Sequence, residues 1–161
     1  MSIIAHMRPN VAEIGAVRYW RLLAAATSWV TYYGKYQWNL YEVYLYASAD
    51  ASGSRISVSA TTESTKYSAS YPGANVVDGN AATFWGTVWD QTSPQWVAFD
   101  CGSAVTVGSF KIDTFCAAGG MYGPKKISLQ YSTDGTNWTT LATVDVADST
   151  IQHTIRTFTY L

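Results

Sequence analysis

The sequence predicts an all-β protein, an antiparallel β-sandwich or jelly roll of about eight strands. Three observations lead there. Apolar residues alternate at period two, and helical periodicity is scarce. Gly, Asn, Asp and Ser cluster between the alternating runs, where turns are needed. Aromatic residues make up 15% of the 161 positions and charged residues only 13%, so apolar burial can offset the ordering entropy and the chain folds.

In chain order the expected strands are 18–24, 40–47, 56–60, 95–100, 105–115, 125–132, 138–144 and 154–160. A short helical turn precedes them near 12–16. In the sixth strand Ile127, Leu129 and Tyr131 share one face and Ser128, Gln130 and Ser132 the other; Phe110 and Ile112 oppose Lys111 and Asp113 in the same way. Strands of this kind belong to antiparallel sheets with one wet face. Turns are expected at Asp50 to Ser54, Asp78-Gly79-Asn80, Cys101-Gly102-Ser103, Gly119-Gly120 and Thr133-Asp134-Gly135. No repeat or linker splits the chain, so residues 1–16 read as an arm and 17–161 as a single sandwich domain.

Composition narrows the function. Ten Lys+Arg face eleven Asp+Glu without basic clustering, which argues against nucleic acid. No apolar run approaches the ~20 residues of a membrane helix, so no membrane insertion is expected. Met1 to Asn10 lack the features of a cleaved secretory signal. Cys101 and Cys116 are too few for a metal quartet or a disulfide framework and read as two free, partly buried thiols, with a bridge as the alternative. Ten of the 24 aromatics lie between Tyr19 and Tyr46, more than one strand pair buries in its own core, so part of that surface is expected to meet another chain or a ligand.

Three stretches together resemble the discoidin, or coagulation factor 5/8 type C, domain and the related family 32 carbohydrate-binding modules. They are Asn75 to Trp85, with its Asp78-Gly79 turn followed by Thr83 and Trp85; Pro94 to Gly102, with Cys101 where the family usually has leucine; and Leu129 to Trp138, a strand, tight turn and returning tryptophan. The family's closing arginine-tyrosine strand and glutamate strand are matched by Arg18 to Leu22 and Leu40 to Leu45, ahead of everything else. The resemblance therefore implies a galactose-binding-domain-like sandwich in circularly permuted order, or N-terminal strands swapped into a neighbouring subunit. The permuted order also resembles small structural proteins of tailed bacteriophages.

Site residues follow. Asp78, Asn80 and Thr83 in a tight turn, with Glu42, supply the oxygen ligands a hard cation wants. The resemblance implies a structural Ca²⁺ there, with the Asn75 carbonyl contributing. The alternative is a plain turn in which Asp78 accepts from the following amides. Trp85, Trp96 and Trp138 are expected in the core. Trp89 and Asp90, Trp29 and Tyr33 in the 29–36 loop, and Tyr122 are candidate glycan contacts, because an aromatic face suits the C–H side of a sugar and amides or carboxylates suit its hydroxyls. Neither His6 nor His153 has a nucleophile motif around it, so the reading is binding without catalysis. The expected role is a bacteriophage virion protein, a head decoration subunit or tail-associated adhesin that forms a homo-oligomer and contacts glycans or other virion proteins. A secreted or cell-surface glycan-binding module is the alternative.

Overall fold

A computed structural model of the chain describes residues 14–24, 29–30, 35–89, 94–117 and 120–159. The strands are β1 (Val17–Ala24), β2 (Trp29–Val30), β3 (Asn39–Tyr46), β4 (Ala60–Glu63), β5 (Trp85–Gly86), β6 (Trp96–Val105), β7 (Ser109–Thr114), β8 (Cys116–Ala117), β9 (Gly120–Met121), β10 (Gly123–Pro124), β11 (Lys126–Ser132), β12 (Thr139–Asp145) and β13 (Thr154–Thr159). They form a five-stranded sheet in the order β12-β11-β1-β6-β4 and a four-stranded sheet in the order β13-β7-β3-β5, with the short pairs β10-β2 and β8-β9 beside them. Every strand pairing among the described residues is antiparallel. The fold is the all-β sandwich that the alternation predicts.

Both early strands sit inside a sheet of their own chain. Leu22 of β1 faces Leu129 of β11 on one side and Val97 of β6 on the other. In the second sheet β3 lies between β7 and β5. The core between the layers comes from alternate residues of each: Trp20, Leu22, Val97, Phe99, Ile127 and Leu129 meet Leu40, Val43, Leu45, Phe110 and Ile112. Trp38 and Trp85, in edge contact at 5.2 Å, plug one end.

The structure corrects several expectations. The expected strand at 56–60 is instead a crossover. Arg55 bridges Tyr46, the Ile56 amide bonds the Leu45 carbonyl, and the Ser59 amide bonds the Asp100 carbonyl, after which β4 runs along β6. The turn expected at Cys101-Gly102-Ser103 is a bulge inside β6: pairing with β1 jumps from Asp100 to Val105, the Gly102 amide bonds Asp100 Oδ1 at 2.8 Å, and Gly102 sits at φ +73°. A Cβ at Gly102 would lie 2.5 Å from Ser59 Oγ, so glycine is needed there on both counts. The polar face of β11 is not wet. Ser128, Gln130 and Ser132 are buried, tied to Thr143, Thr140 and the Asp134 turn. Trp96 and Trp138 lie on that outer face, half-buried, with the Arg21 guanidinium 5.6 and 4.4 Å from their rings; Trp85 alone of the three belongs to the core. Of the ten aromatics at 19–46, the side chains of Trp29, Tyr32 and Tyr33 lie outside the described residues. Trp20, Trp38, Tyr41 and Tyr46 are buried, and Tyr19, Tyr36 and Tyr44 are half-buried. The helical turn expected near 12–16 falls mostly outside the described residues.

Cys101 and Cys116 are free and buried. Burial pushes the Cys101 thiol up to about 11, helped by neighbouring Asp100, and raises that of Cys116. A buried thiol that stays protonated is a poor nucleophile. Both cysteines should resist a thiol-reactive dye at mildly alkaline pH in the folded protein and react fully in urea. Rapid labelling of the folded protein would show the sandwich to be looser than described.

Candidate functional site

Two arrangements of side chains outside the core bear on the expected sites. The first is a cleft of about 190 Å³ walled by Tyr67, Tyr71, Phe84, Trp89, Phe115 and Tyr122, with the amides of Gln37 and Asn39. Local pairing builds it. The Tyr67 amide bonds the Gly86 carbonyl and the Gly86 amide bonds the Tyr71 carbonyl, so the 64–72 loop is laced to β5. The Asn39 amide bonds the Tyr122 carbonyl, which brings the segment after β9 alongside the start of β3. Gly86 has to be glycine, because a Cβ there would come within 2.7 Å of Asn39 Oδ1.

The rings form a continuous run. Trp89 and Tyr67 are 6.2 Å apart, Tyr67 and Tyr71 6.0 Å, Tyr71 and Phe84 4.5 Å, Phe84 and Phe115 4.7 Å, and Phe115 and Tyr122 5.4 Å. Tyr67 and Trp89 are 54% and 42% exposed, the outer end of the run, and Lys35 Nζ lies 5.4 Å from the Trp89 ring centre. Gln37 Nε2 donates to the Thr87 carbonyl, which orients its amide. Asn39 Oδ1 is buried and has no hydrogen-bond partner among the described residues. Chemically the cleft offers aromatic faces for C–H groups and amide dipoles for hydroxyls.

Of the five residues expected to contact a ligand, Trp89 and Tyr122 meet in this cleft, Trp89 at its rim and Tyr122 buried in its wall. The backbone of Trp29 pairs with Pro124, next to Tyr122; the Trp29 side chain, Tyr33 and Asp90 lie outside the described residues. Sequence reasoning missed Tyr67, Tyr71, Phe84, Phe115, Gln37 and Asn39. Tyr67 and Tyr71 carried the same signal as Trp89, bulky aromatics in a Ser-, Gly- and Pro-rich loop. Phe84 was hidden inside a motif, and Phe115 at a strand end.

The second arrangement centres on Glu42. Its residue is 1% exposed, and neither carboxylate oxygen has a hydrogen-bond partner among the described residues. Burial, then the nearby Asp78 carboxylate, pushes its pKa up to about 7, against a smaller opposing pull from the Gly79 amide. Strand β3 thus delivers Glu42 to the Asp78 turn. There the Asn80 amide bonds Asp78 Oδ1 at 2.8 Å, and the Thr83 hydroxyl reaches Asp78 Oδ2 at 2.7 Å and the Asn80 carbonyl at 2.9 Å. Asn75, in the 3₁₀ helix Gly73–Val77, closes the segment by donating from its side chain to the Ser70 and Phe84 carbonyls. The self-contained turn read as the alternative is present, and so is an unsatisfied carboxylate beside it. No three His, Cys, Asp or Glu side chains converge among the described residues, so a cation here would draw most ligands from carbonyl, amide and hydroxyl oxygens, as hard cations accept.

His153 belongs to neither arrangement. In the left-handed region at φ 56°, it stacks on Tyr41 at 4.0 Å and shares its Nδ1 with buried Asp113 at 2.9 Å, fastening the loop before β13.

A comparison with family models matches residues 57–160 to the F5/8 type C domain. No curated protein and no solved structure matches the chain.

Proposed function

Because the chain belongs to the F5/8 type C domain family, we propose that it is a non-catalytic binding module that takes glycans in the cleft between Tyr67, Trp89 and Tyr122. One observation carries the reading: the 64–72 loop, Trp89 and the segment of Tyr122 converge on one aromatic-walled opening that has side-chain amides in its lining. Single sites of this size bind weakly, and strength comes from several copies acting together. A circularly permuted order is part of the same reading. The family match begins at residue 57, yet β1 and β3 precede it and occupy inner positions in the two sheets. Display of many copies on a phage particle, the setting to which the sequence resemblance points, supplies that multivalency.

The residues around Glu42 fit a structural Ca²⁺. Glu42 and Asp78 would supply charge, and Asn75, Asn80 and Thr83 neutral oxygens. A bound cation would neutralise the two carboxylates and hold β3 to the turn.

For the cleft, Trp89→Ala is expected to remove binding on a glycan array while the melting temperature stays within about 2 °C, since an exposed side chain carries little stability. Equal array signal from the variant would take Trp89 out of the site.

A further inference from the structure

The outer face of the five-stranded sheet holds a second opening, of about 290 Å³, which shares no lining residue with the cleft. Tyr19 of β1 and Trp138 flank it; Thr61 and Thr62 of β4 lie along one side; Asp100 and Asp134 supply its carboxylates. We propose that this opening is a second carbohydrate site, taking one neutral pyranose ring against Trp138 with its hydroxyls toward Asp100 and Asp134.

The polar groups are held in place before any ligand arrives. Asp100 Oδ1 accepts from Arg18 Nε at 2.7 Å and the Gly102 amide at 2.8 Å, while Oδ2 accepts only from Arg18 Nη2 at 2.8 Å among the described residues. Asp134 Oδ1 takes the Thr136 and Asn137 amides and the Ser132 hydroxyl, and among the described residues Oδ2 takes only the Asn137 side chain. Each Oδ2 has a single donor among the described residues and so can accept a sugar hydroxyl as well. Both groups are kept ionised: the Arg18 guanidinium lowers Asp100, and the Asn137 amide and side chain hold Asp134 well below the usual carboxylate range. The Arg21 guanidinium stacked 4.4 Å from Trp138 fixes that ring. It is itself anchored by a 2.6 Å bond to Gln130. A free cation is a poor occupant, since Arg18 already compensates Asp100 and the turn amides compensate Asp134. A purely apolar ligand would strand both acceptors. A ring with one C–H face and a hydroxyl rim satisfies the aromatic wall and the acceptors together. Two sites on one module would let it grip two points of a polysaccharide.

The test uses ¹⁵N-labelled protein and a panel of neutral methyl pyranosides of gluco, galacto, manno and xylo configuration, read at the tryptophan indole resonances. The Trp138 resonance should shift and saturate with at least one of them. Thr62→Tyr, an exposed strand position where tyrosine is well accommodated, should fill the opening. It should weaken the Trp138 response at least tenfold and leave the Trp89 response and the melt unchanged. A Trp138 resonance unmoved across the panel overturns the second site, whether or not Trp89 responds. A Trp138 response without one at Trp89 supports the second site and removes the cleft instead. A Trp138 shift that survives in folded Thr62→Tyr also overturns the placement.

Discussion

Metal-free protein is expected to lose on the order of 3 kcal/mol of stability as the pH rises from about 4.5 to about 7, and Glu42→Gln is expected to abolish that slope. The cause is one buried carboxyl. Its folded-state pKa is pushed from 4.5 up to about 7, first by burial and then by Asp78. Across that window the folded chain holds a proton that the unfolded chain has released, so raising the pH favours unfolding; above it the loss is complete. The opposite slope comes from Asp50, Asp100 and Asp134, whose values are lowered by hydrogen bonds and, for Asp100, by Arg18. Their contribution disappears only as the pH falls below the ordinary carboxylate range, so the two windows are separate. Urea denaturation across the pH range in chelator measures the effect, and a flat profile in the parent protein would show that Glu42 is better solvated than described. Calcium supplies the sharper contrast. With millimolar Ca²⁺ the parent should regain stability at neutral pH, and Glu42→Gln should not. A melt indifferent to chelator and calcium removes Glu42, Asp78, Asn80, Thr83 and Asn75 from any metal site.

Trp85→Ala is expected to cost about 3–5 kcal/mol, against total stabilities of roughly 5–15 kcal/mol for native domains. Trp85 is fully buried, meets Trp38 edge-on at 5.2 Å, and donates its indole N–H to the Thr65 carbonyl at 3.0 Å. Truncation leaves a cavity between the two layers and withdraws a donor from a partly buried carbonyl. The bond to Thr65 also anchors the loop that carries Tyr67, so the cleft should loosen with the core. Trp85→Phe keeps most of the volume and should cost much less. Equilibrium unfolding in urea ranks the variants; a Trp85→Ala protein as stable as the parent would show that the plug contributes little.

The strands were legible because one-sided burial imposes alternation, and β1, β3, β11, β12 and β13 fall within a residue or two of where the pattern places them. What escaped was whatever depends on how strands lie across one another. Ile56 and Val58 alternate like a strand but belong to a crossover, since period two marks extended backbone and not its partners. Trp96 and Trp138 read as core because they lie at strand starts within the motifs, yet Arg21 between them makes an outer-face stack that no local pattern announces. The meeting of Glu42 with Asp78 was expected through the family resemblance, and β3 brings the two together. The cleft was half legible. Loop aromatics Trp89 and Tyr122 stood out, but Phe84 and Phe115 join them only through the pairing of β3 with β5 and β7.

The place of β1 between β6 and β11 bears on how the chain acquires its form. Tyr19 pairs with Asp100 on one side and Ser132 on the other, so β1 waits for strands far along the chain before either sheet neighbour is in place. Such distant pairing slows folding and leaves a Trp- and Leu-bearing ribbon uncovered meanwhile. Chaperone dependence during synthesis, rather than weakness of the finished sandwich, is then the point at which this architecture is most vulnerable.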